Sequence, residues 1–487
     1  MDTNLEQVMQ IASVAFNRYK TFSRQQKASF LYAIADEILA ASEALIQQAK
    51  EETNISATQL AGELKRTVFQ WHSFARLLEE GSWVEARIDT ANLERLPVAK
   101  PDVRKMLQPL GIVAVFGASN FPFAYSTLGG DTASALAAGC AVVVKGHPAH
   151  PLTSRLSAEL ILKAATRTGM PEGLFAHVEG LGFEIGKELV LHPLTKAVGF
   201  TGSLRGGRAL FDMASQRPEP IPVFAEMGSI NPVILMPEKL QNEGGEVAQR
   251  YLQSITAGMG QFCTNPGLLI GVAGEGLDVF VKDLANGMTQ VAPAAMLNAG
   301  IYQNYEGKRT IVTSQEGVRI DAESQLPKSG IIQAIPTLAS VDATYFLSNP
   351  LLHQEVFGPF SLLVICQDLA EMQKVIEHLE GQISCTIMAT EQELLANKEI
   401  VERLRAISGR LIFNGVPTGV EVGYAMQHGG PYPASTDARF GAVGQDAIKR
   451  FVRPASYQNC PDFLLPDELK NDNPLGIWRM VDNVLTQ

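Results

Sequence analysis

The chain has 487 residues, of which 46% are hydrophobic and 19% are charged. This length predicts two or three domains with large cores, and the composition excludes long disordered tracts and collagen-like repeats. Lysine and arginine number 40 against 51 aspartates and glutamates, so the formal net charge is −11. An acidic surface repels phosphate backbones, so we expect no nucleic acid partner.

The start of the chain lacks the charged end and apolar run of a secretory signal. The longest nearly apolar run, residues 133–144, is shorter than the roughly 20 residues that cross a bilayer. Five cysteines are scattered without a CxxC pair, which argues against a disulfide scaffold or a structural zinc site. We therefore expect a cytoplasmic protein that makes no membrane contact.

The chain begins with a helical region and an extended region. From residue 4 to about 80, apolar residues recur three and four apart, which predicts amphipathic helices. Between about 82 and 110, charges and prolines in alternating segments are typical of a strand pair or a surface connector.

From residue 111 onward the pattern changes to alternating strands and helices. Predicted helices at 126–138, 151–168 and 182–191 separate the strands GIVAVFG, CAVVVKG, LFAHVEG and KAVGFTGS, which is typical of a doubly wound parallel sheet. A second α/β region starts near 230 and contains the predicted strands NPVILM, GLLIGVAG, PFSLLVIC, CTIMAT and GRLIFNG. Beyond about 423, a stretch rich in glycine and proline predicts a long structured loop.

The end of the second strand of the parallel sheet is a candidate nucleotide site. It carries Lys145, followed by His147 and Pro148, and has no carboxylate for a ribose hydroxyl. A cation in this place favours the 2′-phosphate of NADP, although a solvated lysine is the alternative. Gly202 and Ser203 lie at a strand-to-helix junction that could face a pyrophosphate, or Ser203 could be an ordinary N-cap.

Three further residues are candidates for catalysis. Cys263 lies among small and turn-forming residues in GMGQFCTNPG, a setting that suits an accessible nucleophilic thiol, although most cysteines are inert. Glu226 enters a glycine turn after an apolar stretch and could be a general base, or a surface acid at a strand end. Asn120 in GASNFP could donate to an oxyanion, or could cap a turn.

A metal site is not expected. His147 and His150 lie three apart, but no further histidine or acidic cluster completes a coordination shell, and the other histidines are dispersed along the sequence.

Six motifs occur in an order that resembles the NAD(P)-dependent aldehyde dehydrogenase superfamily: GASNFP, KGHPAHPLT, GFTGS, EMGS, GQFCT and EVFGPF. The resemblance implies that Cys263 is the nucleophile, Glu226 the general base and Asn120 the oxyanion-binding amide. It also implies cofactor contacts, by Lys145 to the adenosine ribose, by Ser203 to the pyrophosphate, and by Glu355 and Phe357 to the nicotinamide ribose and ring.

The resemblance further implies a Rossmann-type cofactor domain, a second α/β catalytic domain and a small bridging strand element. We expect the cofactor domain at 1–225, with 420–465 returning to it and 85–110 as the bridging element. The catalytic domain is expected at 226–419, and a C-terminal oligomerisation segment at 466–487. Homodimers or homotetramers are the implied assemblies.

Departures from the broad pattern narrow the expected substrate and cofactor. Pro148 stands where NAD-preferring members often carry a glutamate, so the resemblance implies a preference for NADP, with NAD as a second cofactor. KGHPAHP, EMGSINP, CTNPG and NPLGIWRMVDN resemble the subgroup that oxidises 2-oxoglutarate semialdehyde. Leu128 occupies the position of a carboxylate-binding arginine in related members, so we expect Arg66 and Gln70, four apart on one helix face, to replace it.

Three alternatives stay open at this stage. The substrate could be a medium or long aliphatic aldehyde, Cys263 and Glu226 could serve a thiol hydrolase, and Arg66 could be only a surface ion-pair partner.

Overall fold

A computed structural model describes residues 4–180 and 182–487. In this part of the chain the α-helices are α1 Leu5–Tyr19, α2 Arg24–Ala40, α3 Ser42–Thr53, α4 Ala57–Glu80, α5 Gly130–Ala138, α6 Pro151–Arg167, α7 Glu184–Leu191, α8 Leu204–Ser215, α9 Pro237–Thr256, α10 Glu275–Thr289, α11 Ala299–Thr313, α12 Ala343–Ser348, α13 Leu369–Glu377, α14 Glu391–Ala396 and α15 Lys398–Ile407. The strands are β1 Arg87–Asp89, β2 Val103–Pro109, β3 Ile112–Phe116, β4 Ala141–Lys145, β5 Phe175–Val178, β6 Thr195–Thr201, β7 Val223–Glu226, β8 Val233–Leu235, β9 Leu268–Val272, β10 Ala294–Ala295, β11 Arg319–Glu323, β12 Gln333–Ala334, β13 Thr337–Asp342, β14 Phe360–Cys366, β15 Gln382–Met388, β16 Ser408–Phe413, β17 Val452–Gln458, β18 Arg479–Val481 and β19 Val484–Thr486.

The predicted helical start of the chain is confirmed by α1–α4. Ser23 begins α2 with a capping box, and Ser56 caps α4, so both helices start where the sequence supplies a side-chain acceptor for free N–H groups. The apolar face of α4 is buried, and the indole of Trp71 donates to the carbonyl of Leu128 at 2.9 Å. This face joins α4 to the first parallel sheet.

That sheet has the order β5-β4-β3-β6-β7 and is parallel throughout. Strands β3 and β4 are buried along their whole length, as expected for a sheet covered on both faces. The chain moves outward from β3 to β5 and then returns to β6, so the switch point lies between β3 and β6. The carboxyl ends of all five strands share one edge, which is where such sheets bind ligands.

Two helices of this region begin later than predicted. The helix predicted at 126–138 begins at Gly130, because the preceding residues form a tight turn in which Gly129 packs against the backbone of Ala124. The helix predicted at 182–191 begins at Glu184.

The second sheet has the order β11-β13-β14-β9-β8-β15-β16 and is parallel except for the β11–β13 pair. It contains all five strands predicted for the second region. The antiparallel edge strand β11, its neighbour β13 and the short β10–β12 pair were not predicted. Cys140, Cys366 and Cys385 are buried in or beside strands of the two sheets.

A third sheet, β17-β2-β1-β18-β19, joins the extended region at 87–109 to the last part of the chain. The 3-10 helix Gln445–Phe451 precedes β17 and packs on α5, where Arg450 and Asp131 form a buried ion pair at 2.7 Å. Strand β17, at 452–458, pairs with the bridging strand β2 and not with the first sheet. The domain limits expected from the sequence stay a prediction. None of the described helices combines the length and apolarity that crossing a membrane requires.

Candidate active site

The loop that carries Cys263 begins with three residues in left-handed conformations. Gly258, Met259 and Gly260 have φ values of 51°, 54° and 63°. Such values favour glycine, and at Gly260 a Cβ atom would also collide with the backbone of Gly358. The glycines of GMGQFC are therefore needed to bring the cysteine loop against the EVFGPF motif.

The carbonyl side of this loop rests on a buried polar network. The amide of Asn231 donates to the carbonyls of Cys263 at 2.8 Å and Asn265 at 2.9 Å. Its own oxygen accepts from Ser384 at 2.9 Å. Asn231 has a φ of 44°, a conformation that asparagine tolerates better than most residues. This network sets the position of the cysteine backbone.

The side chain of Cys263 lies next to a histidine from the long loop that follows β16. Its sulfur is 3.7 Å from Nε2 of His428, and Nδ1 of that ring is 2.6 Å from a carboxylate oxygen of Glu226. His428 is 1% exposed and Glu226 is 5% exposed, so water does not screen their contact. Thiol, imidazole and carboxylate thus form one continuous chain of polar contacts.

Burial raises the pKa of the Cys263 thiol well above its ordinary value, and the charges of Glu226 and Glu355 raise this pKa further. The charges of Arg66 and Arg410 act in the opposite direction. Free thiolate is therefore scarce at neutral pH, and a base in contact with the sulfur is needed to form it.

Two N–H groups belong to the loop that carries this thiol or contact that loop. The amide nitrogen of Asn120 donates one hydrogen to the carbonyl of Gln261 at 3.0 Å, which leaves its second hydrogen available. The backbone N–H of Cys263 donates to no acceptor in the described chain. Such donors are what an oxyanion on a carbon bonded to the sulfur requires.

Arg66 and Gln70, which the sequence paired as substrate contacts, pack against different parts of the protein. Arg66 donates to the hydroxyl of Tyr125 at 3.0 Å, and the Tyr125 ring lies 6.2 Å from that of His428. Gln70 is buried with its amide against Gly130 at the start of α5. Only Arg66 therefore lies beside the cysteine, and the place of Gln70 does not support a substrate contact.

The predicted nucleotide edge is formed by the end of β4 and the residues after it. The side chain of Lys145 makes no hydrogen bond or ion pair with any residue of 4–180 or 182–487, and burial lowers the pKa of its ammonium group. Burial, followed by the nearby charges of His150 and Lys145, lowers the pKa of His147 to about 3, so that ring is neutral at pH 7. Pro148 follows in the turn before α6. The cation at this edge is the lysine.

The other predicted cofactor residues lie at two places. Ser203 caps α8 by accepting from the N–H of Gly206 at 3.2 Å, and the N–H of Gly202 donates to the carbonyl of Glu226 at 3.0 Å. Both residues are exposed. Glu355 and Phe357 line a common cavity with Phe262, next to the cysteine, and burial raises the pKa of Glu355 to about 7.

His428 was missed by the sequence reasoning, which treated it as one of several dispersed histidines. Within the described residues, it forms with Glu226 and Cys263 the one group of three potential metal-ligand atoms that lie within 4.8 Å of one another. The sequence feature that could have indicated His428 is its position before two glycines in a long loop. His147 and His150 stack on each other at 5.3 Å, and His150 also contacts the carbonyl of Ala118 at 3.1 Å.

Comparison with known proteins places the chain among relatives of similar length. The model of the aldehyde dehydrogenase family matches residues 2–452. The chain is 46% identical to an alpha-ketoglutaric semialdehyde dehydrogenase of Acinetobacter baylyi, over 99% of this chain and 91% of that protein. It is 45% identical to alpha-ketoglutaric semialdehyde dehydrogenase 2 of Azospirillum brasilense, over 98% and 91% of the two chains.

Among solved structures, the fold is similar to a betaine aldehyde dehydrogenase of Staphylococcus aureus in complex with NAD⁺. The TM-score is 0.79 at 18% identity, and the match covers 95% of this chain and 89% of the other. The chain belongs to the aldehyde dehydrogenase family of NAD(P)-dependent oxidoreductases.

Proposed function

We propose that the protein oxidises 2-oxoglutarate semialdehyde to 2-oxoglutarate, with NADP as the preferred electron acceptor. The observation that carries the proposed chemistry is the contact of Cys263 with His428, backed by Glu226 at the end of β7. The names of the two similar semialdehyde dehydrogenases support the proposed substrate.

The first proposed step is activation of the thiol. His428 takes the proton of Cys263 through Nε2, and Glu226 stabilises the resulting imidazolium through Nδ1. This assignment agrees with the raised pKa of the thiol, which needs a base in contact with it. His428 is then the group that touches the reacting sulfur, and Glu226 acts through it.

The thiolate attacks the aldehyde carbon, and a carbon–sulfur bond forms while the carbonyl electrons move to oxygen. The second amide hydrogen of Asn120 and the backbone N–H of Cys263 bind that oxyanion. The resulting thiohemiacetal would then lose a hydride, for which a nicotinamide, when bound, would supply the acceptor. A thioester of Cys263 remains.

Hydrolysis of this thioester uses the same pair of side chains. His428 first releases the proton taken from the thiol to solvent. The neutral ring, oriented by Glu226, then takes a proton from water as the water oxygen attacks the thioester carbon. The carbon–sulfur bond then breaks, the carboxylic acid is released and the thiol of Cys263 is restored by the proton held on the histidine. No group beyond the chain and the nicotinamide is needed.

The residues at the sheet edge fit an NADP molecule. Lys145 has a cation without a partner in the described chain, and neutral His147 and Pro148 put no carboxylate next to it. We propose that Lys145 binds the adenosine ribose and its 2′-phosphate, and that Ser203 and Gly202 contact the pyrophosphate. Glu355 and Phe357 would hold the nicotinamide end in their shared cavity.

We also propose that the protein has the domain limits expected from its sequence, that it forms a homo-oligomer and that it is cytoplasmic. Exposed apolar side chains on the third sheet support an assembly through that sheet, among them Val484 and Leu485 in its edge strand β19. All five cysteines are free, which agrees with a reducing compartment.

Initial rates with a panel of aldehydes and both nicotinamides test the proposal. We expect the highest kcat/KM for 2-oxoglutarate semialdehyde with NADP, compared with NAD and with the uncharged aldehydes pentanal and hexanal. A higher kcat/KM for the uncharged aldehydes would replace the proposed substrate by an aliphatic one. Hydrolysis of an ester or thioester, with no nicotinamide reduction by any of the aldehydes, would indicate a hydrolase.

A further inference from the structure

Two arginines near Cys263 are bonded only to neutral oxygens in the described chain. Arg66 donates to the Tyr125 hydroxyl at 3.0 Å. Arg410 donates to the backbone carbonyls of Gly419 at 3.0 Å and Pro417 at 2.6 Å. These partners hold each guanidinium in place, but they do not neutralise its charge.

Arg410 reaches the reaction centre from the second sheet. It lies on β16 next to Gly409, which packs so closely on Gly429 that a Cβ atom would collide with the Gly429 carbonyl. Gly429 is the neighbour of His428 in the chain. The backbone of Arg410 is therefore within one residue of direct contact with the histidine loop.

The loop bonded to Arg410 leads to Tyr125 from the other side. After Gly419 it continues into Val420 and Val422, which pack in one apolar cluster with Phe121 and Tyr125. Arg66 lies over the same tyrosine ring, with its guanidinium 5.1 Å from the ring centre. The two arginines thus flank one aromatic wall of the active site.

Burial leaves Arg410 short of a partner. Its Nε atom is buried without an acceptor, and burial lowers the pKa of its guanidinium. Desolvating a cation is costly unless an anion lies next to it. The nearest acid to Arg66 on α4, Glu63, instead accepts the backbone N–H groups of Phe123 and Ala124.

We propose that Arg410, together with Arg66, binds the carboxylate at the far end of the substrate. The inference rests on the proposed function and specifies its substrate class: short aldehydes that carry a carboxylate at the other end. In 2-oxoglutarate semialdehyde four carbon–carbon bonds separate the two ends, which is about 5 Å in an extended chain. Arg410 takes the role that the sequence assigned to Gln70.

The test compares a charged and an uncharged aldehyde of the same chain length. We expect Arg410→Met to lower kcat/KM for 2-oxoglutarate semialdehyde by about 10- to 100-fold, mainly through KM, and to change kcat/KM for pentanal by less than about 3-fold. Arg66→Met is expected to have the same selectivity. Arg403→Met is the matched control, because Arg403 is also partly buried, has an Nε without an acceptor in the described chain and donates to a backbone carbonyl.

An equal loss of kcat/KM for both aldehydes would overturn the inference. It would mean that Arg410 only supports the 417–419 loop or stabilises the thiolate, since either role would affect every substrate equally. Arg410→Lys keeps the charge and should recover part of the preference for the charged aldehyde. Failure of that rescue, with the loop intact by circular dichroism and thermal melting, would also count against carboxylate binding.

A second measurement separates this inference from the proposed function. Glutarate carries a carboxylate but no aldehyde, and we expect it to protect Cys263 of the unaltered protein from iodoacetamide and to lose about 10-fold in apparent affinity in Arg410→Met. If the unaltered enzyme prefers pentanal, the proposed substrate fails. If glutarate protection does not depend on Arg410, the anion site fails, whichever aldehyde is preferred.

Discussion

The reaction centre and the nucleotide edge differ in how their residues are held. At the reaction centre, His428 contacts both Glu226 and Cys263 directly, although the cysteine and the histidine are 165 positions apart in the chain. At the nucleotide edge, Lys145 ends β4 and Ser203 follows β6, on opposite sides of β3, and the lysine side chain has no partner in the described chain.

The two sites therefore depend on different features of the fold, one on strand order and the other on the packing of a long loop. Strand order alone brings Lys145 and Ser203 to one edge, because parallel strands end together. Contact between Cys263 and His428 instead requires a long loop to fold back over the sheets. The first kind of site leaves charge available for a ligand, and the second holds its groups against each other before any ligand binds.

The largest expected effect is loss of the nucleophile. Cys263→Ala should lower dehydrogenase turnover by about 10⁴-fold or more, since no other group in contact with His428 can form the thioester. Turnover is measured as nicotinamide reduction at saturating aldehyde. Cys460→Ala, at a partly exposed cysteine in the C-terminal region, is the control and should retain full activity. Substantial turnover in Cys263→Ala would refute the assignment.

Breaking the histidine contact should have the next largest effect. His428→Asn removes the base at 3.7 Å from the sulfur, and we expect kcat/KM to fall by about 10²- to 10³-fold. Alkylation of Cys263 by iodoacetamide at pH 7 should slow in parallel, because less thiolate forms. The exposed His378→Asn is the control. An unchanged alkylation rate would mean that His428 does not activate the thiol.

The nucleotide edge should respond more weakly and selectively. Lys145→Met is expected to raise the Kd for NADP by about 10-fold and the Kd for NAD by less than about 3-fold, because the 2′-phosphate loses its cation. Quenching of protein fluorescence gives both values without turnover. Lys187→Met, on the exposed face of α7, is the control. Equal losses for both nucleotides would remove the basis for the NADP preference.

The smallest effect concerns the loop between Asn120 and Tyr125. Glu63 holds this loop through the N–H groups of Phe123 and Ala124, and burial raises the pKa of Glu63 to about 7. A pKa raised on folding stabilises the protein below the ordinary value of 4.5, and this contribution is lost as the pH rises through about 7.

Glu63→Gln is neutral at every pH, so its Tm relative to the unaltered protein should rise between pH 5 and pH 8, by about a few degrees. Differential scanning fluorimetry across this range measures the difference. Glu159→Gln, at an exposed position of α6, should give a flat difference. A difference for Glu63→Gln that falls with pH would contradict the charge argument.

Most of the fold followed from local patterns. The buried strands β3 and β4, the capped helices α2 and α4 and the long loop beyond 423 were all predicted, because apolar periodicity and cap residues act over a few positions. The β10–β12 pair and the edge strand β11 were missed. These strands are short or half exposed, so their sequences carry no continuous apolar run.

In the candidate site, too, residues in short local motifs were predicted, and contacts between distant residues were not. Cys263, Glu226 and Asn120 stood out because each lies in a short motif with glycine or proline beside it. Gln70 was paired with Arg66 on helical spacing alone, which gives the face of a helix but not what packs against it. The structure puts Gln70 against α5 instead.

By itself, the sequence determined the two parallel sheets and singled out a candidate ligand edge and a candidate nucleophile, since these depend on periodicity and on motifs of a few residues. Only the tertiary structure decided which side chains surround the thiol. His428 contacts the thiol and the charge of Arg410 acts on it, both from the region after β15, and nothing in their local sequence states which distant residue they approach. Such contacts depend on how the sheets pack and where the long loop returns, and local sequence does not encode that packing.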